Sequence, residues 1–165
     1  MVISDICNTL ADVNGYLHRV FEVPRGVYPA PIPKGFWPSG TGLMVFQKAD
    51  PIPGAVECLR GLSEKLGGLA YATCRPRDAE LVTKRWLKLH GFPDGQVFFC
   101  ADAREKLAVA QKLGAALALD DDPEAIRLYA RSGIAVLYPD WPYNRSLDEP
   151  NAVRVAGVME VGYGC

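Results

Sequence analysis

At 165 residues the chain has the size of one domain, and 49% hydrophobic with 22% charged residues is an ordinary globular balance. A net charge of −1 excludes broad electrostatic capture of nucleic acid or of an acidic membrane surface. It leaves room for a small anionic ligand held by a few local donors. The longest apolar runs are strand-sized, too short to span a bilayer. The start runs straight into Val2 and Ile3 without a basic region and apolar leader, so a cytoplasmic location is expected. The five cysteines (Cys7, Cys58, Cys74, Cys100 and Cys165) are scattered and form no CxxC pair, which reads as reduced thiols. With only His18 and His90 beside them, they argue against a structural zinc site.

In chain order, Val2 to Cys7 is a short apolar run ending in polar residues, the pattern of a buried strand at its carboxyl edge. Residues 11–52 are rich in proline, glycine and aromatic side chains and lack clear periodicity. A segment that long is expected to be a lid or binding loop inserted after the first strand. Val56, Leu59, Leu62 and Leu66 recur at helical spacing over residues 53–66, between Pro53 and the stop at Gly67-Gly68. Leu69 to Thr73 is a second strand. Residues 77–90 form a helix with Val82, Trp86 and Leu89 on one face, closed by Gly91 and Pro93. Gln96 to Cys100, a helix over 103–113, Ala115 to Leu119, a helix from Pro123 to Gly133, and Ile134 to Tyr138 continue the alternation. Residues 151–162, with Val153, Val155 and Val158, are open between a final edge strand and a homodimer element.

Strands alternating with helices of this length predict one three-layer α/β domain, a central parallel sheet with right-handed crossovers. Ligands in such sheets bind outside the carboxyl ends of the strands, here after Ile6, Ala72, Cys100, Leu119 and Tyr138. Those ends carry a consistent set of residues. Asp5-Ile6-Cys7-Asn8-Thr9-Leu10 follows the first strand and Thr73-Cys74-Arg75-Pro76 the second. Lys106 opens the third helix, and Asp120-Asp121-Asp122 follows the fourth strand. Several carboxylates at one sheet edge repel one another unless a cation sits among them. Oxygen-only donors favour Mg²⁺ over zinc. A hydroxyl and an ammonium nearby supply donors for a phosphate, and a carboxylate at such a site can serve as nucleophile. Asp122 is placed to cap the helix beginning at Pro123.

This order of residues resembles the haloacid-dehalogenase superfamily over roughly residues 1–140, outside the 11–52 insertion. The resemblance implies a Rossmann-like α/β fold with a short cap and an Mg²⁺-dependent phosphohydrolase acting on a phosphorylated small molecule. By it, Asp5 is the nucleophile and a metal ligand, and the backbone carbonyl of Cys7 is a second ligand. Asp120 and Asp121 complete the metal site. Thr73 holds the phosphoryl oxygens, Lys106 neutralises developing charge, and Arg75 and Asn8 are expected among the substrate-binding residues. Thr73-x-Arg75-Pro76, Thr83-Lys84-Arg85-Trp86-Leu87 and Trp141-Pro142-Tyr143-Asn144 look like the deoxyribonucleotidases and polynucleotide 3′-phosphatases of that superfamily. In those relatives the arginine-containing turn and an aromatic insertion help hold the substrate.

The departure from the pattern is Cys7. Phosphatases of the superfamily carry a second aspartate there, which protonates the leaving group and later activates water. A thiol, with a reference pKa of about 8.5, donates weak hydrogen bonds. Losing a general acid–base residue costs ~10²–10⁴ in rate. Two functions therefore stand: a phosphatase that forms an aspartyl-phosphate on Asp5, or a weakened domain that keeps the metal–phosphate pocket and binds a ligand or partner.

Overall fold

A computed structural model describes residues 1–155; the part of the 151–162 segment beyond residue 155, including Val158, lies outside the described residues, as does Cys165. Six parallel strands form one sheet: β1 (Val2–Ser4), β2 (Leu69–Thr73), β3 (Gln96–Phe99), β4 (Leu117–Leu119), β5 (Ala135–Pro139) and β6 (Ala152–Val155). The strand order is β3-β2-β1-β4-β5-β6. The chain leaves β1 in one direction to build β2 and β3, then returns to its other side for β4, β5 and β6. The crevice of this sheet therefore lies between the carboxyl ends of β1 and β4, where ligands of open α/β sheets bind.

Successive strand residues face opposite sides, and the core divides accordingly. Val2, Ile6, Leu59, Tyr71 and Trp86 belong to one buried cluster, Ile3, Ala72, Ala110, Ile126 and Val136 to the other. The first face is covered by α3 (Ala55–Leu66) and α4 (Glu80–Leu89), the second by α5 (Ala103–Lys112) and α6 (Pro123–Arg131). Helix α4 is entered through a 3₁₀ turn at Arg77–Ala79, and its buried residues are Thr83, Trp86 and Leu87. That three-and-four spacing turns Leu89, expected on the buried face, outward to 78% exposure. Strand β1 is shorter than expected because the chain curls after Ser4, and β4 starts two residues late for its partner register, Val2 opposite Leu117.

Residues 11–52 are not a bare loop. They contain α1 (Val13–Phe21) and α2 (Gly40–Lys48), and Val13, Leu17, Val45 and Phe46 enter the same core as α3 and α4. Both helices carry glycine in the first turn, which normally weakens a helix. Here each glycine is demanded by a close approach. A Cβ on Gly15 would meet the Asp12 side chain at 2.0 Å, and one on Gly42 would meet the Phe36 carbonyl at 2.2 Å. At Gly15 the contact is also the N-cap, Asp12 accepting from Gly15 N–H, whereas α2 is capped separately by Ser39 accepting from Gly42 N–H. Among the described residues, no helix is long and apolar enough to cross a membrane.

Trp86 joins this inserted layer to the main fold. Its ring stacks on Phe92 with centroids 5.2 Å apart, and its Nε1 donates to the Ala49 carbonyl at 2.8 Å. Trp86→Phe leaves that buried carbonyl unpaired and should cost about 1–3 kcal/mol. The check is a lowered urea midpoint at unchanged m-value.

Candidate active site

The turn after β1 is built by its own backbone. Leu10 and Ala11 N–H both donate to the Ile6 carbonyl, and Asn8 N–H donates to Ala11. This winds the chain so tightly that Asn8 takes φ 55°, a left-handed conformation that asparagine tolerates better than most residues. The Asn8 side-chain oxygen accepts from Asn14 N–H at 2.9 Å, fixing the start of α1 beside the turn. Asp5 is thereby held at the crevice, its N–H donating to the Leu119 carbonyl at 2.8 Å.

Around Asp5 the strand ends converge. Lys106, from the first turn of α5, is 2% exposed and places Nζ 2.8 Å from Asp5 Oδ1 and 3.0 Å from Asp120 Oδ2. Carboxylate oxygens of Asp5, Asp120 and Asp121 come within 4.8 Å of one another, and all three residues are buried. Arg104, two residues before Lys106 on the same helix, is exposed to solvent and takes no part in the cluster. Asp122 caps α6 as expected, accepting from Glu124 N–H at 2.8 Å.

The electrostatics follow from three buried carboxylates sharing one ammonium. Burial, helped by the Asp5 charge, pushes the Asp121 carboxyl up to about 7, against the hydrogen bonds it accepts from Tyr143 and Thr9. Burial raises Asp120 as well, with Lys106 opposing and Asp5 adding to the rise. For Lys106 burial works to lower the pKa, but the Asp120 and Asp5 carboxylates outweigh it and hold the ammonium charged. The donor set is hard oxygen only, with excess negative charge, which fits a divalent cation such as Mg²⁺.

One cavity of about 180 Å³ opens onto this cluster. Its polar end is formed by Asp5, Cys7, Asn8, Thr73, Lys106 and Asp121, and its apolar wall by Val13, Tyr28, Trp37 and Phe46. Asp120 does not line the cavity and lies behind Lys106. Thr73 is fully buried, with Oγ1 accepting from Arg75 N–H at 3.3 Å. Arg75, 3% exposed, spans the border between the two ends. Its Nε donates to Cys7 Sγ at 3.2 Å, Nη1 donates to Thr83 Oγ1 at 3.1 Å, and its guanidinium lies 4.4 Å from the centre of the Phe46 ring. Nη2 is buried with no hydrogen-bond partner. Burial pushes the Cys7 thiol up, the Arg75 cation opposing.

All the residues singled out from sequence thus converge on one crevice. What sequence reasoning left without a role is the ring around Asp121. Thr9 donates to its Oδ1 at 3.0 Å, Tyr143 donates to its Oδ2 at 2.6 Å, and the Asn144 amide donates to its carbonyl at 3.2 Å. The signal was present in Trp141-Pro142-Tyr143-Asn144, read only as a resemblance.

The sheet order, the site at the β1–β4 crevice and the whole-chain superposition agree. The chain superimposes on a haloacid dehalogenase-like hydrolase from Streptococcus pneumoniae with TM-score 0.61 and 17% identity, covering 97% of this chain and 95% of that one. The fold is that of the haloacid-dehalogenase hydrolases. A hydrolase of that family from Deinococcus radiodurans, with bound phosphate and sodium, gives TM-score 0.62 at 14% identity, covering 98% of this chain and 95% of the other. The D,D-heptose 1,7-bisphosphate phosphatase of B. bronchiseptica, complexed with magnesium and phosphate, gives TM-score 0.59 at 12% identity, with 97% and 94% covered. In sequence, the chain is 28% identical over 128 residues to a Bacillus cereus protein named "Putative nucleotidase". That match covers 76% of this chain and 66% of the relative's length. No family model matches the sequence.

The raised Asp121 carboxyl has a consequence for stability. In the unfolded chain an aspartate titrates near ~3.9. Folded Asp121 therefore binds the proton more tightly, and its contribution is present in acid and lost as pH rises through about 7. In EDTA, the melting temperature of Asp121→Asn should fall less between pH 5 and pH 8 than that of the wild type; equal slopes would refute the assignment.

Proposed function

We propose that the chain is an Mg²⁺-dependent phosphohydrolase that cleaves a phosphomonoester, a nucleotide being the first candidate, through an aspartyl-phosphate on Asp5. The observation that carries the reading is a buried carboxylate at the end of β1, paired with a buried lysine, at the polar end of a cavity lined by phosphate donors. The solved structures with bound phosphate and the nucleotidase-named relative support the class of reaction.

Asp5, the Cys7 carbonyl, Asp120 and Asp121 are the groups that would hold Mg²⁺. The ion, when bound, supplies charge neutralisation between the carboxylates and the phosphoryl oxygens. Asp5 Oδ1 is engaged by Lys106, which leaves Oδ2 to attack phosphorus. An Oδ2–P bond forms as the ester P–O bond breaks, and the departing oxygen takes its proton from solvent water, since residue 7 offers no carboxyl. Water then attacks the phosphorus, the Oδ2–P bond breaks, and the water's proton leaves with inorganic phosphate or to solvent, restoring the Asp5 carboxylate. Through both steps the Lys106 ammonium faces the charge that develops at Asp5. The Thr73 hydroxyl and the Asn8 amide nitrogen, whose side-chain oxygen is already committed to α1, donate to phosphoryl oxygens. Arg75 stands where the phosphate gives way to the organic part of the substrate, between Cys7 and Phe46. A cavity of about 180 Å³ is small beside typical ligand pockets of ~300–1,000 Å³. It encloses the phosphate and its nearest atoms and leaves the rest of the substrate near the aromatic wall.

A second reading is favoured by one observation: Cys7 Sγ is occupied by Arg75 Nε, and no carboxyl stands at that position. On this reading the pocket binds Mg²⁺ and a phosphorylated ligand or a partner with little turnover.

Phosphate release from an aryl phosphate, followed with and without Mg²⁺, separates the two. The enzyme reading expects Mg²⁺-dependent release that Asp5→Asn abolishes and that Cys7→Asp raises by ~10²-fold or more. No wild-type turnover, with turnover gained in Cys7→Asp, selects the binding reading. Mg²⁺ with beryllofluoride tests the pocket itself. At a hundredfold excess over Kd it should stabilise by about 2.7 kcal/mol, and a chain of this size gains roughly 2–4 °C per kcal/mol. An unmoved Tm sinks both readings.

A further inference from the structure

Asp121 has each carboxylate oxygen engaged by a hydroxyl from a different neighbouring element, where Asp5 and Asp120 share the Lys106 ammonium. Its Oδ1 accepts from Thr9 on the turn after β1, and its Oδ2 accepts from Tyr143 on the 3₁₀ turn Pro142–Asn144 that follows β5. Asn144, fully buried, grips both the Asp121 carbonyl and the Pro139 carbonyl. The end of β4 is thus clamped from its two neighbouring strands.

The Tyr143 ring that delivers the second hydrogen bond is itself stacked. Trp141 lies nearly parallel to it, with an interplanar angle of 9° and centroids 6.2 Å apart. Tyr28 stacks on it with centroids 5.1 Å apart and planes inclined by 30°. Tyr28 belongs to the stretch between α1 and α2, lines the cavity and is 41% exposed. Trp141 is fixed by donating from Nε1 to the Asn8 carbonyl at 2.8 Å, and the Arg25 guanidinium lies 5.2 Å from its ring centre. A phenol aimed at one carboxylate oxygen keeps its direction only while its ring plane is held. Both Arg25 and Tyr28 bring the insertion onto this stack, and Tyr28 does so while lining the cavity.

We infer that Tyr143 is a positioning residue for Asp121 and that Tyr28, by stacking on it, couples the insertion to cation binding at the site. The inference rests on the Mg²⁺ reading above and deepens it. Partners that orient a metal-binding side chain are worth ~10–100-fold in affinity. Coupling of this kind is reciprocal, so the cation in turn holds Tyr28 over the cavity.

Isothermal titration of the folded protein with Mg²⁺ alone, at fixed pH, reads the coupling without any turnover. Tyr143→Phe keeps the ring and loses the hydroxyl, and should weaken Mg²⁺ about tenfold. Tyr28→Ala, at a half-exposed position that makes no hydrogen bond to Asp5, Asp120 or Asp121, should weaken Mg²⁺ at least about threefold. Tyr28→Phe keeps the stack and should bind as the wild type does. Wild-type affinity in Tyr28→Ala overturns the coupling, as does an equal loss in Tyr28→Phe. Wild-type affinity in Tyr143→Phe overturns the positioning role. A wild-type protein that fails to bind Mg²⁺ overturns the metal reading itself and the inference with it, which sets that failure apart from the others.

Discussion

The structure turns on the cost of keeping Asp5, Asp120 and Asp121 together out of water. Their oxygens lie within 4.8 Å of one another with a single ammonium, Lys106, between two of them. Uncompensated carboxylates in a low-dielectric site shift towards their neutral forms, and burial with the Asp5 charge raises Asp121 in this way. The surrounding architecture keeps the cluster in place despite that cost. Leu119 receives the Asp5 N–H, Leu137 receives the Asp120 N–H at 3.3 Å, and Asn144 holds the Asp121 carbonyl. A folded chain that sustains such repulsion by backbone pairing on three strands is preorganised for a ligand of opposite charge.

That preorganisation explains why the crossover geometry matters more than any one motif. Because β1 and β4 are neighbours, an aspartate at the end of each meets the other without a long loop. Thr73, at the end of β2 on the far side of β1, closes the other flank. Lys106 reaches the centre because α5 starts right after β3 and runs back under the sheet edge. The insertion then adds the apolar wall, Val13 from α1, Phe46 from α2, and Tyr28 and Trp37 from the stretch between them, and the helices are anchored in the core through Leu17, Val45 and Phe46.

What was legible in the sequence shares a common physical basis, which is local order. An apolar run that ends in polar residues marks a buried strand and its functional edge at once, so Asp5, Thr73, Lys106, Asp120 and Asp121 could all be placed from their neighbours. Residues 13–21 and 40–48 were not legible as helices, because Gly15 and Gly42 oppose helix formation locally. The contacts that require them, with the Asp12 side chain and the Phe36 carbonyl, are seen only in three dimensions. The Asp121 ring was hidden for a different reason. Thr9 lies 112 positions from Asp121 in sequence and Tyr143 lies 22 away, so no periodicity links them.

Cys7 is illuminated by the same long-range packing. In sequence it is an isolated departure, a thiol where the resemblance implies a carboxylate. In the fold it faces Arg75, 68 positions away, whose guanidinium is also held by Thr83 and stacked on Phe46. A carboxylate at residue 7 would form a charge-assisted pair with that guanidinium and draw it off the aromatic ring. The thiol is too weak an acceptor to do so, and Arg75 is left with an unpaired buried Nη2 at the border of the cavity. Unpaired buried donors are costly and persist where a ligand supplies the missing acceptor. On the proposed function, the thiol at residue 7 does more than deny the site an acid: it leaves the Arg75 Nη2 donor free for a substrate at the junction of phosphate and organic group. On the proposed function, the balance of these two effects separates a pocket that turns its ligand over from one that only holds it.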